Sequence, residues 1–119
     1  MSRIHDAIKE LHQLPGVKGA ALLTTDGMVA AESLDEGLRS DVVAGLTSYL
    51  LMTTTRSLEE GGQGKLSQFV LHATHGKVIL SIMEDSCLVV LFDQFADPNH
   101  AKREVQEAAH RIRRASRMA

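Results

Sequence analysis

Residues 66–93 read LSQFVLHATHGKVILSIMEDSCLVVLFD, which contains three strand-length apolar runs separated by two tight connections. The runs are Leu66–Ala73, Lys77–Met83 and Cys87–Asp93. Connections this short join neighbouring antiparallel strands, so the segment predicts a meander. The last run is apolar on both faces, which favours the centre of a sheet, whereas the first carries polar residues and suits an edge.

The segments on either side of this meander predict helices. Downstream, Asp97 can act as the N-cap of a helix. Pro98 suits the first position of that helix, because the N–H that proline lacks would have no partner there. Upstream, residues 38–60 contain no proline and predict the longest helix, with Asp35 or Ser40 as its N-cap. The buried stripe of the last helix is predicted at Ala101, Val105, Ala108, Ala109 and Ile112.

The amino-terminal part of the chain predicts one more helix and a hairpin. Ser2 can cap the helix, and Pro15-Gly16 ends it. The hairpin strands are predicted at Val17–Thr24 and Met28–Glu32. Between them, Gly27 can supply the positive φ that a tight turn requires.

The elements therefore follow the order α-β-β-α-β-β-β-α within one domain over residues 1–119. This order predicts an α+β fold, a five-stranded antiparallel sheet with helices on both faces, because the doubly apolar central strand needs two covering layers. A chain of 119 residues buries enough surface for such a fold without a metal or a disulfide.

The predicted central helix has more apolar surface than one sheet can cover. One stripe contains Val42, Leu46, Tyr49, Leu50 and Leu58, and a second contains Val43, Leu50 and Leu51. Among these stripes, the small residues Gly45 and Ser48 allow another helix to approach closely, or else they fit against the sheet below. The sequence alone leaves both interpretations open.

Composition excludes several classes of function. Only four residues are aromatic, which argues against a nucleic-acid site built on base stacking. Cys87 is the only cysteine, and its apolar neighbours predict a buried, inert thiol. No apolar run reaches the ~18 residues that a membrane span requires. Because the first residues also lack a signal-peptide core, we expect a cytoplasmic protein.

The basic residues are concentrated at the carboxyl end. The formal net charge is −2, yet the segment from Lys102 onward carries six basic and two acidic residues. Such a segment either complements the dipole of a helix terminus or attracts phosphates and acidic partners. Nucleic-acid binding through this helix is therefore one alternative, although the low aromatic content argues against it.

The residues predict neither a cofactor site nor a catalytic site. Gly61–Lys65 invites a phosphate-loop interpretation, but Glu59 and Leu66 stand where that motif needs Gly and Ser or Thr. His72 and His75 lack a third metal ligand at a suitable spacing, and no carboxylate pair completes a site with the other pair, His5 and His12. We therefore expect all four histidines to be exposed. No serine occupies a Gly-x-Ser-x-Gly turn. We expect no cofactor, no metal and no enzyme activity.

Several short motifs, together with the element order, resemble the roadblock family of dynein light chains and their bacterial relatives. These motifs are Leu14–Ala20, the hairpin turn Thr25–Met28 and the following Ala30-Ala31, and the likeness covers about residues 3–115. The resemblance implies a profilin-like fold. It also implies a dimer that joins two sheets through the central helix and the strand after it.

The resemblance further implies a role as an adaptor, a scaffold subunit or a regulator of Ras-like small GTPases, and in the gliding-motility relatives the dimer stimulates GTP hydrolysis by its partner. The dimer interface expected on this basis consists of Val42, Gly45, Leu46, Tyr49, Leu50, Phe69 and Leu71. The exposed face of the paired helices would bind the GTPase, with Thr53, Thr54 and Arg56 as candidates. The alternative is a small-ligand sensor, because profilin-like sheets also build pockets.

Overall fold

Within residues 3–118, the part of the chain that this computed structural model describes, three α-helices and five strands follow the predicted order. Side chains are described as far as Ser116, so the predicted Ser2 cap lies outside the described residues. The elements are α1 (Arg3–His12), β1 (Val17–Thr24), β2 (Val29–Leu34), α2 (Ser40–Glu60), β3 (Gln68–Ala73), β4 (Gly76–Ile82), β5 (Ser86–Asp93), a 3-10 turn (Pro98–Ala101) and α3 (Lys102–Met118).

The strands form one antiparallel sheet in the order β2-β1-β5-β4-β3. β5 is central, and its Val89 lies opposite Ala21 of β1 and Leu80 of β4. It occupies this position because its side chains are buried on both faces of the sheet. β3 is an edge strand with mainly exposed or half-buried residues. Both placements confirm the sequence prediction.

Helices α1 and α3 cover one face of the sheet. Every residue of the stripe predicted for α3 is buried, and Val105 and Ile112 meet Ile8 of α1 and Val90 of β5 in one core. Asp97 is the predicted N-cap, since its carboxylate accepts a hydrogen bond from the Asn99 amide at 3.0 Å.

Of the described helices, only α2 covers the opposite face, and its core is smaller. Val43 and Ala44 pack there against Leu23, Leu80 and Val89. The half-buried apolar residues around this core are Leu50, Leu51, Phe69, Val78, Ile82 and Leu91. The α2 side of the sheet therefore leaves more apolar surface uncovered than the other side does.

Several boundaries differ from the prediction by one or two residues, and one cap differs as well. β2 runs to Leu34 because its pairing with β1 continues to Gly19, and β3 starts only at Gln68. The N-cap of α2 is Arg39, and no side chain caps the helix, so the prediction of Asp35 or Ser40 was wrong.

His12 is half-buried rather than exposed, which corrects the prediction for this residue. Its Nε2 atom donates to Asp35 Oδ1 at 2.6 Å, and its Nδ1 atom shares a hydrogen bond of 2.6 Å with the Ser33 hydroxyl. The side chain thereby links the end of α1 to the end of β2. Asp35 lies in the turn before α2, ahead of the N-cap position at Arg39, so it does not cap the helix.

Candidate protein-binding site

A row of large apolar side chains along α2 is not covered by the rest of the chain. Val42, Leu46 and Tyr49 recur at i, i+4 and i+7, so they lie on one side of the helix. Their exposed fractions are 57%, 48% and 63%. Single exposed apolar residues are common, but three neighbours on one helix side form a patch of the kind that marks interaction sites. We refer to these three residues as the α2 stripe.

The β3 edge presents further apolar side chains on the same face of the sheet. Phe69 lies opposite Leu80, and Leu71 lies opposite Val78. Directly opposed residues of an antiparallel pair point to the same face, and Leu80 belongs to the core beneath α2. Phe69 and Leu71 therefore lie on the α2 side, both half-buried. As an edge strand, β3 also has a row of backbone groups without a partner strand.

The surroundings of Gly45 and Ser48 separate the two interpretations of the small residues on α2. Gly45 is exposed, and a Cβ atom built there would meet no atom within 4 Å. Ser48 instead lies against the hairpin turn, where a Cβ atom on Gly27 would come within 2.7 Å of Ser48 Oγ. Ser48 thus fits its own chain, while Gly45 leaves space at the surface for another backbone.

Leu50 is only partly available at the surface. It is half-buried and packs on the core between α2 and the sheet. Of the seven residues expected at a dimer interface, the structure exposes the α2 stripe and Gly45, and it leaves Leu50, Phe69 and Leu71 half-buried.

Another side of α2 borders an open groove of about 520 Å³ beside the hairpin turn. Thr24 and Asp26 line it from the turn, and Met52, Arg56 and Glu59 line it from the helix. Arg56 is exposed and forms no ion pair with any other residue in the described range. Its guanidinium is therefore available to an acidic group of a partner.

Thr53 and Thr54 do not share this groove with Arg56. Thr53 is exposed and follows Tyr49 by four residues, so it extends the side of the α2 stripe. Thr54 is half-buried and follows the buried Thr47 by seven residues, so it faces the sheet. The three predicted partner-binding residues therefore point in three directions.

The described residues contain no constellation that indicates catalysis. Cys87 is 2% exposed, and burial raises the pKa of its thiol from 9.0 to about 12, so it is not a nucleophile at neutral pH. Within residues 3–118, no cluster of His, Cys, Asp or Glu can hold a metal ion. No described helix is both long enough and apolar enough to cross a bilayer.

Comparison with known proteins identifies relatives over most of the chain. The family model of the Roadblock/LC7 domain matches residues 3–92. The uncharacterized protein MJ1340 of Methanocaldococcus jannaschii is 27% identical over 110 residues, which cover 92% of this chain and 96% of that protein.

Two solved structures share the fold. MglB of Myxococcus xanthus matches with a TM-score of 0.91 at 13% identity, covering 100% of this chain and 98% of that chain. The gliding protein MglB of Thermus thermophilus matches with a TM-score of 0.86 at 20% identity, covering 98% of this chain and 90% of that chain.

Proposed function

The chain belongs to the Roadblock/LC7 domain family, and on this premise we propose that it is a non-catalytic homodimer that binds and regulates a Ras-like small GTPase or scaffolds a complex around one. Membership of this family is consistent with a regulator or an adaptor. In the proposed dimer, the α2 stripe and Gly45 of one protomer meet those of its partner, and the two β3 edges pair to join the sheets.

The exposure of the α2 stripe is the observation that carries this proposal. Burying a large apolar side chain fully is worth about 1.5–3 kcal/mol, so each of the three half-exposed side chains contributes roughly 1 kcal/mol when covered. Two protomers then gain about 6 kcal/mol, which only matches the lower part of the ~4–15 kcal/mol cost of association. Pairing of the β3 edges, with Phe69 and Leu71, therefore has to supply the remainder.

A charge within the stripe tests this interface. Tyr49→Asp should convert the dimer to a folded monomer, because the carboxylate would lose its hydration in an apolar contact. Phe95→Asp is a matched control, since Phe95 is 86% exposed and lies between β5 and the 3-10 turn, outside both α2 and β3. Sedimentation velocity and circular dichroism together report mass and folding. A Tyr49→Asp variant that remained dimeric would rule out the α2 stripe as the interface.

The groove beside the hairpin turn is the proposed contact for the GTPase. Its Arg56 lies outside the α2 stripe and stays accessible in the proposed dimer, whereas Thr53 lies beside the interface. An exposed arginine can pair with carboxylates of a partner, and charge pairs of this kind mainly raise the rate of association.

Binding to purified Ras-like GTPases of the same organism tests this part of the proposal. We expect the dimer to bind one of them in a manner that depends on whether GDP or a non-hydrolysable GTP analogue is bound. Arg56→Glu should weaken that binding about tenfold by reversing a charge at the contact. Lys9→Glu, the same charge reversal at an exposed residue of α1 on the other face of the sheet, should leave the binding unchanged. Equal binding by the Arg56→Glu variant would exclude the groove as the contact.

The small-ligand sensor remains the second hypothesis, and it would use the same groove. Native mass spectrometry of the freshly purified protein separates the two. A bound small molecule that is lost on substituting Met52 or Arg56 would support the sensor, whereas nucleotide-dependent GTPase binding supports the regulator.

A further inference from the structure

Phe95 is the most exposed of the large apolar side chains in the described part of the chain, at 86%. It lies between β5 and the 3-10 turn, at the end of the sheet where Val17 pairs with Phe92. This position is on the side of α1 and α3 and is separate from the α2 stripe. None of the functions considered above uses it.

The loop that carries Phe95 is held by specific hydrogen bonds. The Asp93 carboxylate accepts from the Phe95 amide at 2.9 Å and from the Ala96 amide at 2.8 Å. Lys77 Nζ donates to the Ala96 carbonyl at 2.5 Å. The exposed ring is thus presented on an ordered backbone, which lowers the entropy that a partner must overcome on binding.

Close packing beside this loop adds to the order. Gly16, with a φ of +80°, approaches Ala96 so closely that a Cβ atom on Gly16 would lie 2.6 Å from Ala96 Cβ. The loop after α1 and the loop after β5 therefore form one continuous wall.

A groove of about 530 Å³ runs along this wall next to Phe95. Its apolar lining includes Leu14, Pro15, Ala96 and Ala101. An apolar floor beside an exposed aromatic ring is the arrangement in which a partner side chain becomes a binding hot spot.

The polar rim of the groove is acidic. Asp93, Asp97 and Glu104 line it. The basic groups beside them are His100, whose Nε2 lies 3.7 Å from Asp97 Oδ2, and Lys77, which donates to the Ala96 carbonyl, so the carboxylates remain in the majority. Asp93 and Asp97 accept hydrogen bonds from backbone amides. These donors are neutral, so both carboxylates keep their negative charge. Glu104 forms no ion pair with any residue in the range 3–116. Three carboxylates around an apolar groove attract a basic ligand.

We propose that this groove docks a short basic-apolar segment of a second protein, in which an aliphatic or aromatic residue packs on Phe95 and a neighbouring Lys or Arg pairs with Glu104. The groove lies apart from the α2 stripe, so the proposed homodimer would carry two such sites. The site also stands if the chain is monomeric, because each protomer contains every residue of it.

Panning a random dodecapeptide phage library against the wild-type protein tests the proposal. We expect enrichment of peptides with an apolar residue next to Lys or Arg. A synthetic peptide with the enriched sequence should perturb the backbone amide signals of Phe95, Ala96 and Ala101 in an NMR titration. Its affinity should fall with added salt, because the rim charges contribute to binding.

Variants of the groove make the test specific. Phe95→Ser should lower the affinity for the synthetic peptide about thirtyfold without loss of folding, as expected for an exposed hot-spot residue. Glu104→Gln should lower the same affinity about threefold, which is the effect expected from losing one partly solvated ion pair. Met28→Ser, which removes another large exposed apolar side chain, beside the hairpin turn, should leave the affinity unchanged.

Several results would overturn the proposal. One is the absence of enriched peptides, and another is an enriched sequence that is acidic or uncharged. Unchanged affinity of the Phe95→Ser variant would also exclude the groove. A change in sedimentation mass on Phe95→Ser would show that a second copy of the chain occupies it instead.

Discussion

Replacing Gly45 with alanine separates the stability of the protomer from the stability of the dimer. Gly45 lies inside α2, where alanine is favoured over glycine by about 0.5–1 kcal/mol. The added methyl group meets no atom within 4 Å in its own chain. The protomer should therefore become more stable by about that amount.

The effect on association should have the opposite sign. If the two α2 helices approach each other at Gly45, the extra methyl group overpacks the contact, which typically costs about 1–3 kcal/mol. A cost of about 1.4 kcal/mol raises the dimer dissociation constant roughly tenfold. Sedimentation equilibrium gives the dissociation constant of Gly45→Ala. Urea unfolding in the Tyr49→Asp background gives the protomer stability. A tighter or unchanged dimer would refute close helix contact at Gly45.

Three further predictions concern single side chains. His12→Ala should lower the free energy of unfolding by about 1–3 kcal/mol, measured by urea denaturation, because it removes two hydrogen bonds to Ser33 and Asp35. Cys87 should resist alkylation in the native state at pH 8, since a pKa of about 12 leaves roughly one thiol in ten thousand ionised. Fast alkylation of the native protein would contradict the burial of Cys87. The raised pKa also means that the contribution of the Cys87 thiol to folding stability is complete below pH 9 and is lost as the pH rises toward 12. Leu50→Asp should lower the thermal unfolding midpoint by more than Tyr49→Asp does, because Leu50 also packs on the core of its own protomer.

Most of the fold follows from apolar patterning along the chain. The doubly apolar run at Cys87–Phe92 identifies the central strand, and β1 has the bounds that its apolar residues predict. Asp97 and Pro98 similarly mark the start of the last helical segment. These predictions succeed because each rests on a pattern of neighbouring residues, an apolar run or a capping residue, that can be recognised without knowledge of the tertiary contacts.

The predictions that failed depend on tertiary contacts. Asp35 is a good N-cap by residue type, yet its carboxylate binds His12, more than twenty residues earlier. Thr53 and Thr54 are neighbours in sequence, but the helical period turns Thr54 toward the sheet and Thr53 toward solvent, and their role in partner binding stays a prediction.

The candidate site was only partly predictable. The surplus of apolar residues on α2 was visible in the sequence, and the structure leaves Val42, Leu46 and Tyr49 uncovered. The Phe95 groove was not visible, because the two loops that form its wall are nearly eighty residues apart and meet only through the pairing of β1 with β5.

Hydrogen exchange at the two edges of the sheet tests the central claim most directly. In the proposed dimer, β3 pairs with the partner's β3, so its outward-pointing amides gain hydrogen-bond partners, while those of β2 do not. We predict that exchange at β3 slows as protein concentration rises and that exchange at β2 stays constant, with the β3 protection lost in Tyr49→Asp. Outward β3 amides that exchange as fast as those of β2 at every concentration would contradict a dimer built on this edge.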